Sequence, residues 1–394
     1  MNFAKLDDYL KVIEEKFQVP MGDVQVMKGH DVLYRNRFGY ADADKKIPLT
    51  EDHLFRLYSC SKVVTMTAVM QLIERGQLRF HDRLSDYLPE YDAIKALDSF
   101  DLQGFGNVAG DLPSHIAHNE IKIIDLMTMS AGFSYDTKDP NIMAAIKDSN
   151  GDADTRMILK YLAKTPLLYE PGTRFCYSLA HDVLVGVVEV ITGMKFSDYL
   201  KKNIFEPIGA KDFYYDFKGV KEVQSRLCDI YVAGDDGQPP FRVATPERSD
   251  SYSFTKKYES GGAGLIGTVD SYSRLAEALA CGGMSRTGNR ILKPETIELF
   301  THPYAVSGKL REDFGVFNRV GYQYGLGVRV MVDNSKARSP IGEFGWDGAA
   351  GAYVLIDTTN EISVFYAQHT LGFGTVYDVI HPNLRDVIYE CIEG

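Results

Sequence analysis

Phe3, Leu6, Leu10, Ile13 and Phe17 recur close to helical spacing with acidic and basic residues between them, which predicts an amphipathic helix at the start of the chain. Asp23-Val24-Gln25-Val26 then alternates, Lys28-Gly29-His30-Asp31 reads as a turn, and Val32-Leu33-Tyr34 resumes extended character. This is the pattern of a hairpin. Near the far end, Tyr353 to Asp357 and Ile362 to Ala367 are β-rich runs separated by Thr358-Thr359-Asn360-Glu361, a second hairpin. Leu384, Val387, Ile388, Cys391 and Ile392 then repeat the helical stripe behind Pro382.

Between these ends the texture changes. Val63 to Leu72 is apolar on nearly every side, so it predicts a buried helix, closed by Gly76. Val183 to Ile191 has the same character and ends at Gly193. The simplest architecture is α+β: an antiparallel sheet built from both chain ends, flanked by the two terminal helices, with a mostly helical lobe inserted. The chain then reads as one unit, with an α/β lobe over about 1–57 and 260–394 and a helical lobe over about 58–259. Residues 98–120, rich in Gly, Asp and His, form a polar loop that is either a lid or decoration.

Composition narrows the function. Of 394 residues, 45% are hydrophobic and 25% charged, the balance of an ordinary globular chain. A net charge of −11, without clustered Lys and Arg, argues against nucleic acid as a partner. No run of about 18 apolar residues and no basic-then-apolar leader are present, so neither a membrane partner nor export is expected. Cys60, Cys176, Cys228, Cys281 and Cys391 are odd in number and lack C-x-x-C spacing, which fits a reducing cytoplasm and suggests no zinc site.

At the head of the all-apolar helix stands Tyr58-Ser59-Cys60-Ser61-Lys62. Ser59 and Lys62 are three residues apart and share a helical face. A serine hydroxyl needs a base to become a nucleophile, and an amine one turn away supplies one. The helix N-terminus would place a backbone N–H beside an oxyanion, and loss of solvation would make neutral Lys62 accessible. Ser253-Phe254-Thr255-Lys256 has the same two-residue pattern, but no apolar helix follows it. Tyr177-Ser178-Leu179 precedes the second buried helix, and a lone buried tyrosine is ordinarily scaffold. Trp346-Asp347-Gly348-Ala349-Ala350-Gly351 reads equally as a close-approach loop for a substrate or as an edge strand with bulges.

Taken in order, Ser59-x-x-Lys62, Tyr177-Ser178-Leu179 and Trp346-Asp347-Gly348 resemble the serine β-lactamase and penicillin-binding-protein superfamily, and within it the family VIII carboxylesterases related to class C β-lactamases. Phe38 to Asp42, Leu54 to Arg56, Asp125 to Gly132, Glu170 to Thr173 and Gly261 to Leu265 extend the likeness from about residue 20 to the C-terminus. The resemblance implies a β-lactamase/transpeptidase-like fold with two lobes meeting at an active site. It makes Ser59 the nucleophile, Lys62 and Tyr177 partners in the base role, and the N–H groups of Ser59 and Ala349 the oxyanion hole. It implies no metal and no organic cofactor. A tyrosine titrates near 10, so a base at pH 7 needs a shift of about three units, roughly 4 kcal/mol, much of which a neighbouring ammonium is expected to supply. The two titrations are coupled, and which residue holds the proton stays open.

Two departures bear on substrate. Trp346 stands where β-lactamases usually place a carboxylate-binding Lys, and Leu179 where they place an Asn that hydrogen-bonds an acylamide. Both exchange polar anchoring for apolar surface. The expectation is therefore a serine carboxylesterase for small to medium, largely neutral esters, with Trp346, Gly348, Leu179, Tyr58 and Phe133 contacting the substrate. Tyr135 is a further pocket candidate. A β-lactamase, D-Ala-D-Ala peptidase, amidase or acyltransferase on the same fold is the alternative, and the intact Ser59, Lys62 and Tyr177 set disfavours a non-catalytic binding module.

Other residues have plainer readings. His115-x-x-His118 lies in a polar loop with no obvious third ligand. His369 has no G-x-S-x-G elbow to serve. Cys60 points about 100° away from Ser59 and is expected in packing.

Overall fold

The computed structural model describes residues 1–99, 112–215, 219–239, 241–305 and 308–394. The centre of the polar 98–120 loop, residues 100–111, lies outside them.

The first hairpin pairs β1 (Met21–Lys28) with β2 (Asp31–Asp42), and β3 (Ile47–Pro48) extends its edge. The C-terminal part of the chain supplies β4 (Tyr322–Tyr324), β5 (Arg329–Met331), β6 (Phe344–Asp347), β7 (Tyr353–Asp357) and β8 (Ile362–Ala367). The eight strands form one antiparallel sheet ordered β4-β5-β6-β7-β8-β1-β2-β3. The chain ends join at β1 and β8, where Val24 lies opposite Tyr366 and Val26 opposite Val364.

Five helices set the surroundings: α1 (Ala4–Glu15), α2 (Ser61–Glu74), α3 (Ala180–Thr192), α4 (Val269–Ala280) and α5 (His381–Glu393). Side chains alternate across a strand, so one β8 run feeds two cores. Val364 and Tyr366 pack with Leu6 and Leu10 of α1 and Leu384 and Ile388 of α5. Phe365 and Ala367 face the opposite side, where Tyr272 of α4 stacks on Phe365 with centroids 4.0 Å apart. The terminal helices thus cover one face, as the two apolar stripes predict. The other face is covered by α4, a helix the sequence reading did not anticipate, capped where the Thr268 hydroxyl accepts from the Ser271 N–H. Burial on both faces explains why Ile362 to Ala367 shows no polar alternation.

The two buried central helices form as predicted. Every residue of α2 from Ser61 to Leu72 is buried, and Gly76, at φ +69°, ends the segment with its N–H on Ile73. Gly193 caps α3 in the left-handed conformation. Helix α2 packs on α3 and also touches β6, so the segment following Ser59 joins the helical lobe to the sheet.

Candidate active site

Tyr58, with φ +44°, opens a single 3-10 turn, Tyr58–Cys60, that runs directly into α2. A left-handed non-glycine residue is strained and must be held by its surroundings. Here the Tyr58 hydroxyl donates to the Ser249 carbonyl at 2.8 Å, and its ring meets Tyr252 edge-on. Ser59 is thereby set at the base of a cavity of about 810 Å³. Cys60 is fully buried with Sγ near the Trp346 carbonyl, in packing as its helical position predicts.

Lys62 follows one turn later and is wholly buried. Its Nζ lies 3.3 Å from Ser59 Oγ, donates to the Gly262 carbonyl at 2.8 Å, and lies 3.4 Å from the Tyr135 hydroxyl. Burial lowers the Lys62 pKa to about 7, opposed by the negative charge of Asp182. Asp182 is in the first turn of α3, also buried, and accepts from the Tyr258 hydroxyl at 2.7 Å.

Tyr177 reaches the same point from the segment before α3. The Arg174 guanidinium grips both Asp313 oxygens at 2.7 Å, and the Phe175 N–H donates to the same carboxylate. The Cys176 N–H bonds Met129 and the Leu179 N–H bonds Ser134, which lays this segment beside the Met129 to Ser134 loop. That pairing places Tyr135 against Tyr177, rings nearly parallel and 5.4 Å apart. Both phenols hydrogen-bond Ser59. Trp346 stacks on the other side of Tyr177 at 5.5 Å, and its indole N–H donates to the Tyr177 hydroxyl at 2.9 Å.

Burial acts on the two candidate bases in opposite senses. Burial pushes the Tyr177 phenol well above its ordinary value, although hydrogen bonds from Ser59 and Trp346 act in the opposite direction. Lys62 Nζ lies over the Tyr177 ring, 4.4 Å from its centroid. The group that titrates near neutrality is the amine.

The third segment approaches because Gly348 has no side chain: a Cβ there would lie 2.5 Å from the Leu57 carbonyl oxygen. The Tyr377 hydroxyl donates to the carbonyls of both Gly348 and Ala349 at 2.9 Å. The Ala349 N–H shares a planar trans peptide with the Gly348 carbonyl and so points the opposite way. Behind the loop, Asp347 pairs with Arg319 at 2.8 Å and Arg329 at 3.2 Å. Burial alone would raise the Asp347 carboxyl, but these guanidinium groups hold it well below the usual carboxylate range.

Ser59, Tyr177, Trp346, Gly348 and Ala349 all border the cavity, with Lys62 immediately behind Ser59. Leu179, Phe133 and Tyr58 do not border it. Leu179 is the N-cap residue of α3 with its side chain in the core, Phe133 packs edge-on against Tyr91, and Tyr58 faces Ser249 behind the nucleophile turn. Tyr135, Tyr252, Phe317, Arg319 and Tyr377 take places on the wall instead. Of these only Tyr135 carries a sequence signal, its place just beyond the Met127 to Gly132 loop. The cavity also contains cations that the loss of a motif lysine does not reveal, including Lys138, Arg248 and Arg319, the last neutralised by Asp347. His369 is a structural tie: its Nε2 accepts the Arg56 N–H at 2.9 Å, and burial takes its pKa down to about 3.

A serine, lysine and tyrosine converging between an antiparallel sheet and a helical lobe is the architecture of the β-lactamase/transpeptidase class. A family model described as Beta-lactamase matches residues 6–387, and the chain belongs to that family. Esterase EstB of Burkholderia gladioli is 28% identical over 396 residues, covering 94% of this chain and 91% of that protein. Among solved structures, EstCE1, described as a hydrolase with promiscuous acyltransferase activity, matches with a TM-score of 0.76 and 24% identity, covering 98% of this chain and 97% of its own. A family VIII carboxylesterase matches with a TM-score of 0.74 and 20% identity, covering 99% and 97%. The chain thus shares the fold of these proteins, and among the described residues no helix is long and apolar enough to cross a membrane.

Proposed function

We propose that the protein is a serine carboxylesterase that hydrolyses small to medium, largely neutral esters through an acyl-enzyme on Ser59. The observation that carries this reading is the aromatic wall of Tyr135, Tyr177 and Trp346 beside Ser59, with the Trp346 N–H committed to Tyr177. Such a wall accommodates an apolar acyl or alcohol group, while the wall cation Arg319 is already paired with Asp347. The similarity to EstB supports the same reaction type.

In the proposed reaction neutral Lys62 takes the Ser59 proton as Oγ attacks the ester carbonyl. The oxyanion receives hydrogen bonds from the Ser59 and Ala349 N–H groups. Tyr177, held protonated, relays a proton to the departing alkoxide, and water then releases the acid by the reverse sequence. No metal or organic cofactor enters. The five unpaired cysteines suit a cytoplasmic location.

Ser59→Ala should abolish hydrolysis of p-nitrophenyl butyrate by the purified protein. Undiminished turnover would end the assignment, and faster turnover of a chromogenic cephalosporin than of the ester would move it to amide substrates. Acyl transfer to an added alcohol is a second reading, favoured by the fold shared with EstCE1. Ester product formed from the acceptor would establish it.

A further inference from the structure

His115 and His118 belong to no step of the ester chemistry, and alone they are two surface histidines. The fold supplies what their spacing lacks. Lys95–Leu97 pairs antiparallel with Ser114–Ile116, setting Ala96 opposite His115, and the Asp98 N–H bonds the Pro113 carbonyl. On the other side, Leu167 exchanges backbone hydrogen bonds with Lys95 and Leu97, which brings the chain through Glu170 alongside the hairpin. Asp98 and Glu170 therefore flank His115 from two separate segments.

The resulting geometry is specific. Asp98 Oδ1 is 2.7 Å from His115 Nδ1, and Glu170 Oε1 is 2.8 Å from His115 Nε2 and 3.1 Å from His118 Nδ1. The two imidazoles lie 4.8 Å apart, and the donor atoms of His115, His118 and Glu170 are all within 4.8 Å of one another. The second Glu170 oxygen is fixed by the backbone N–H groups of His118 and Asn119, each at 3.0 Å.

A neutral His115 that donates Nδ1–H to Asp98 turns its Nε2 lone pair toward a carboxylate oxygen at 2.8 Å. Two acceptors at that separation repel unless a cation lies between them. A proton is one such cation and a metal ion is the other. Ligand atoms about 2.0 to 2.1 Å from a tetrahedral Zn²⁺ lie roughly 3.3 Å apart, close to the spacings present here. A carboxylate on the rear nitrogen of a metal-binding histidine is also the usual device that fixes its tautomer. Two imidazoles with one carboxylate select borderline divalent ions over Mg²⁺ or Ca²⁺, which prefer all-oxygen shells.

We propose that His115, His118 and Glu170 bind a divalent transition-metal ion of the zinc class, with Asp98 orienting His115, at a site separate from the ester cleft. The three ligands leave a coordination position for water. The ion ties the paired strands Lys95–Leu97 and Ser114–Ile116 to the segment running through Glu170 and Arg174 to Tyr177, so its effect is on stability.

The test uses the full chain, stripped with a chelator and titrated with Zn²⁺ by calorimetry and with Co²⁺ by visible absorption. One equivalent of Zn²⁺ is expected to bind and raise the melting temperature, and Co²⁺ should develop d–d bands. His118→Ala, at a largely exposed position where folding is not at stake, should weaken binding at least tenfold. Asp98→Asn should weaken it by about 10- to 100-fold, as loss of an orienting carboxylate does elsewhere. Binding that survives His118→Ala and His115→Ala unchanged would place the metal elsewhere, for instance on a cysteine, and overturn the proposal. Absence of Zn²⁺ binding in the folded protein at about 1 mM, well above the range of structural sites, would leave a proton as the bridge and also overturn it.

Discussion

The Trp346 indole donates its one hydrogen to the Tyr177 phenol oxygen at 2.9 Å while the two rings stack. This bond occupies a phenol lone pair, so the indole holds the Tyr177 oxygen in place beside Ser59. Trp346→Phe keeps an aromatic surface and removes only the donor. A hydrogen bond of about 1.4 kcal/mol corresponds to a tenfold change in rate, so kcat for p-nitrophenyl butyrate should fall about tenfold with KM little altered. A change confined to KM would mean that the indole serves substrate binding alone.

The pH profile should follow Lys62. Burial lowers its pKa to about 7, so kcat/KM should rise through that pH as the neutral amine appears. Stability carries the same signature. Between about 7 and the ordinary lysine value near 10.4, the unfolded chain holds a proton that the folded chain lacks. The Lys62 contribution to stability therefore increases with pH across this window and is flat below it. Urea titrations of wild type and Lys62→Met at pH 6 and 9 would measure it, and a wild-type gain absent from the variant is the expected result.

Asp347 supports the loop after Trp346 from behind, against Arg319 and Arg329. Removing one partner of a buried ion pair leaves the others uncompensated, typically at a cost of about 3 to 5 kcal/mol. Asp347→Ala should show a loss of that order in urea denaturation. A loss below about 1 kcal/mol would indicate that Glu343, 3.6 Å from Arg329, suffices as its counter-charge.

Tyr377 acts on the same loop through hydrogen bonds to the Gly348 and Ala349 carbonyls. If these set the direction of the Ala349 N–H, Tyr377→Phe should lower kcat by about tenfold, less than the 10²- to 10³-fold typical of deleting an oxyanion donor outright. Equal rates for the variant and wild type would separate Tyr377 from the reacting centre.

What the sequence revealed depended on periodicity and motif. The stripes of α1 and α5, and the apolar run of α2, declare themselves because one residue in three or four, or nearly every side of the helix, is apolar. Ser59, Lys62 and Tyr177 were legible for a different reason, their order and flanking motifs. Phe133 and Tyr135 show where this stops: two residues apart in an irregular segment, they have no period to say which faces the cavity, and hydrogen bonds from Cys176 and Leu179 decide it. Leu179 occupies a motif position, but as the N-cap residue of α3 it turns into the core. Arg319 and Tyr377 arrive from segments without a motif, brought in by the packing of the C-terminal lobe.

Asp182 acts on Lys62 through its charge. It lies buried in the first turn of α3, holds the Tyr258 hydroxyl at 2.7 Å, and its charge opposes the burial that lowers Lys62. As a positioning residue it touches no substrate; it acts through the amine. Asp182→Asn preserves shape and hydrogen-bonding capacity while removing the charge, so the Lys62 pKa should fall further. The acidic limb of the kcat/KM profile should then move to lower pH, while the plateau rate falls because a weaker base accepts the Ser59 proton less readily. A purely structural role would lower activity uniformly without moving the limb, and a shift to higher pH would contradict the electrostatic assignment. Measuring the profile for wild type, Asp182→Asn and Tyr258→Phe on one neutral ester distinguishes these outcomes, with Tyr258→Phe expected to leave the charge in place and move the limb least.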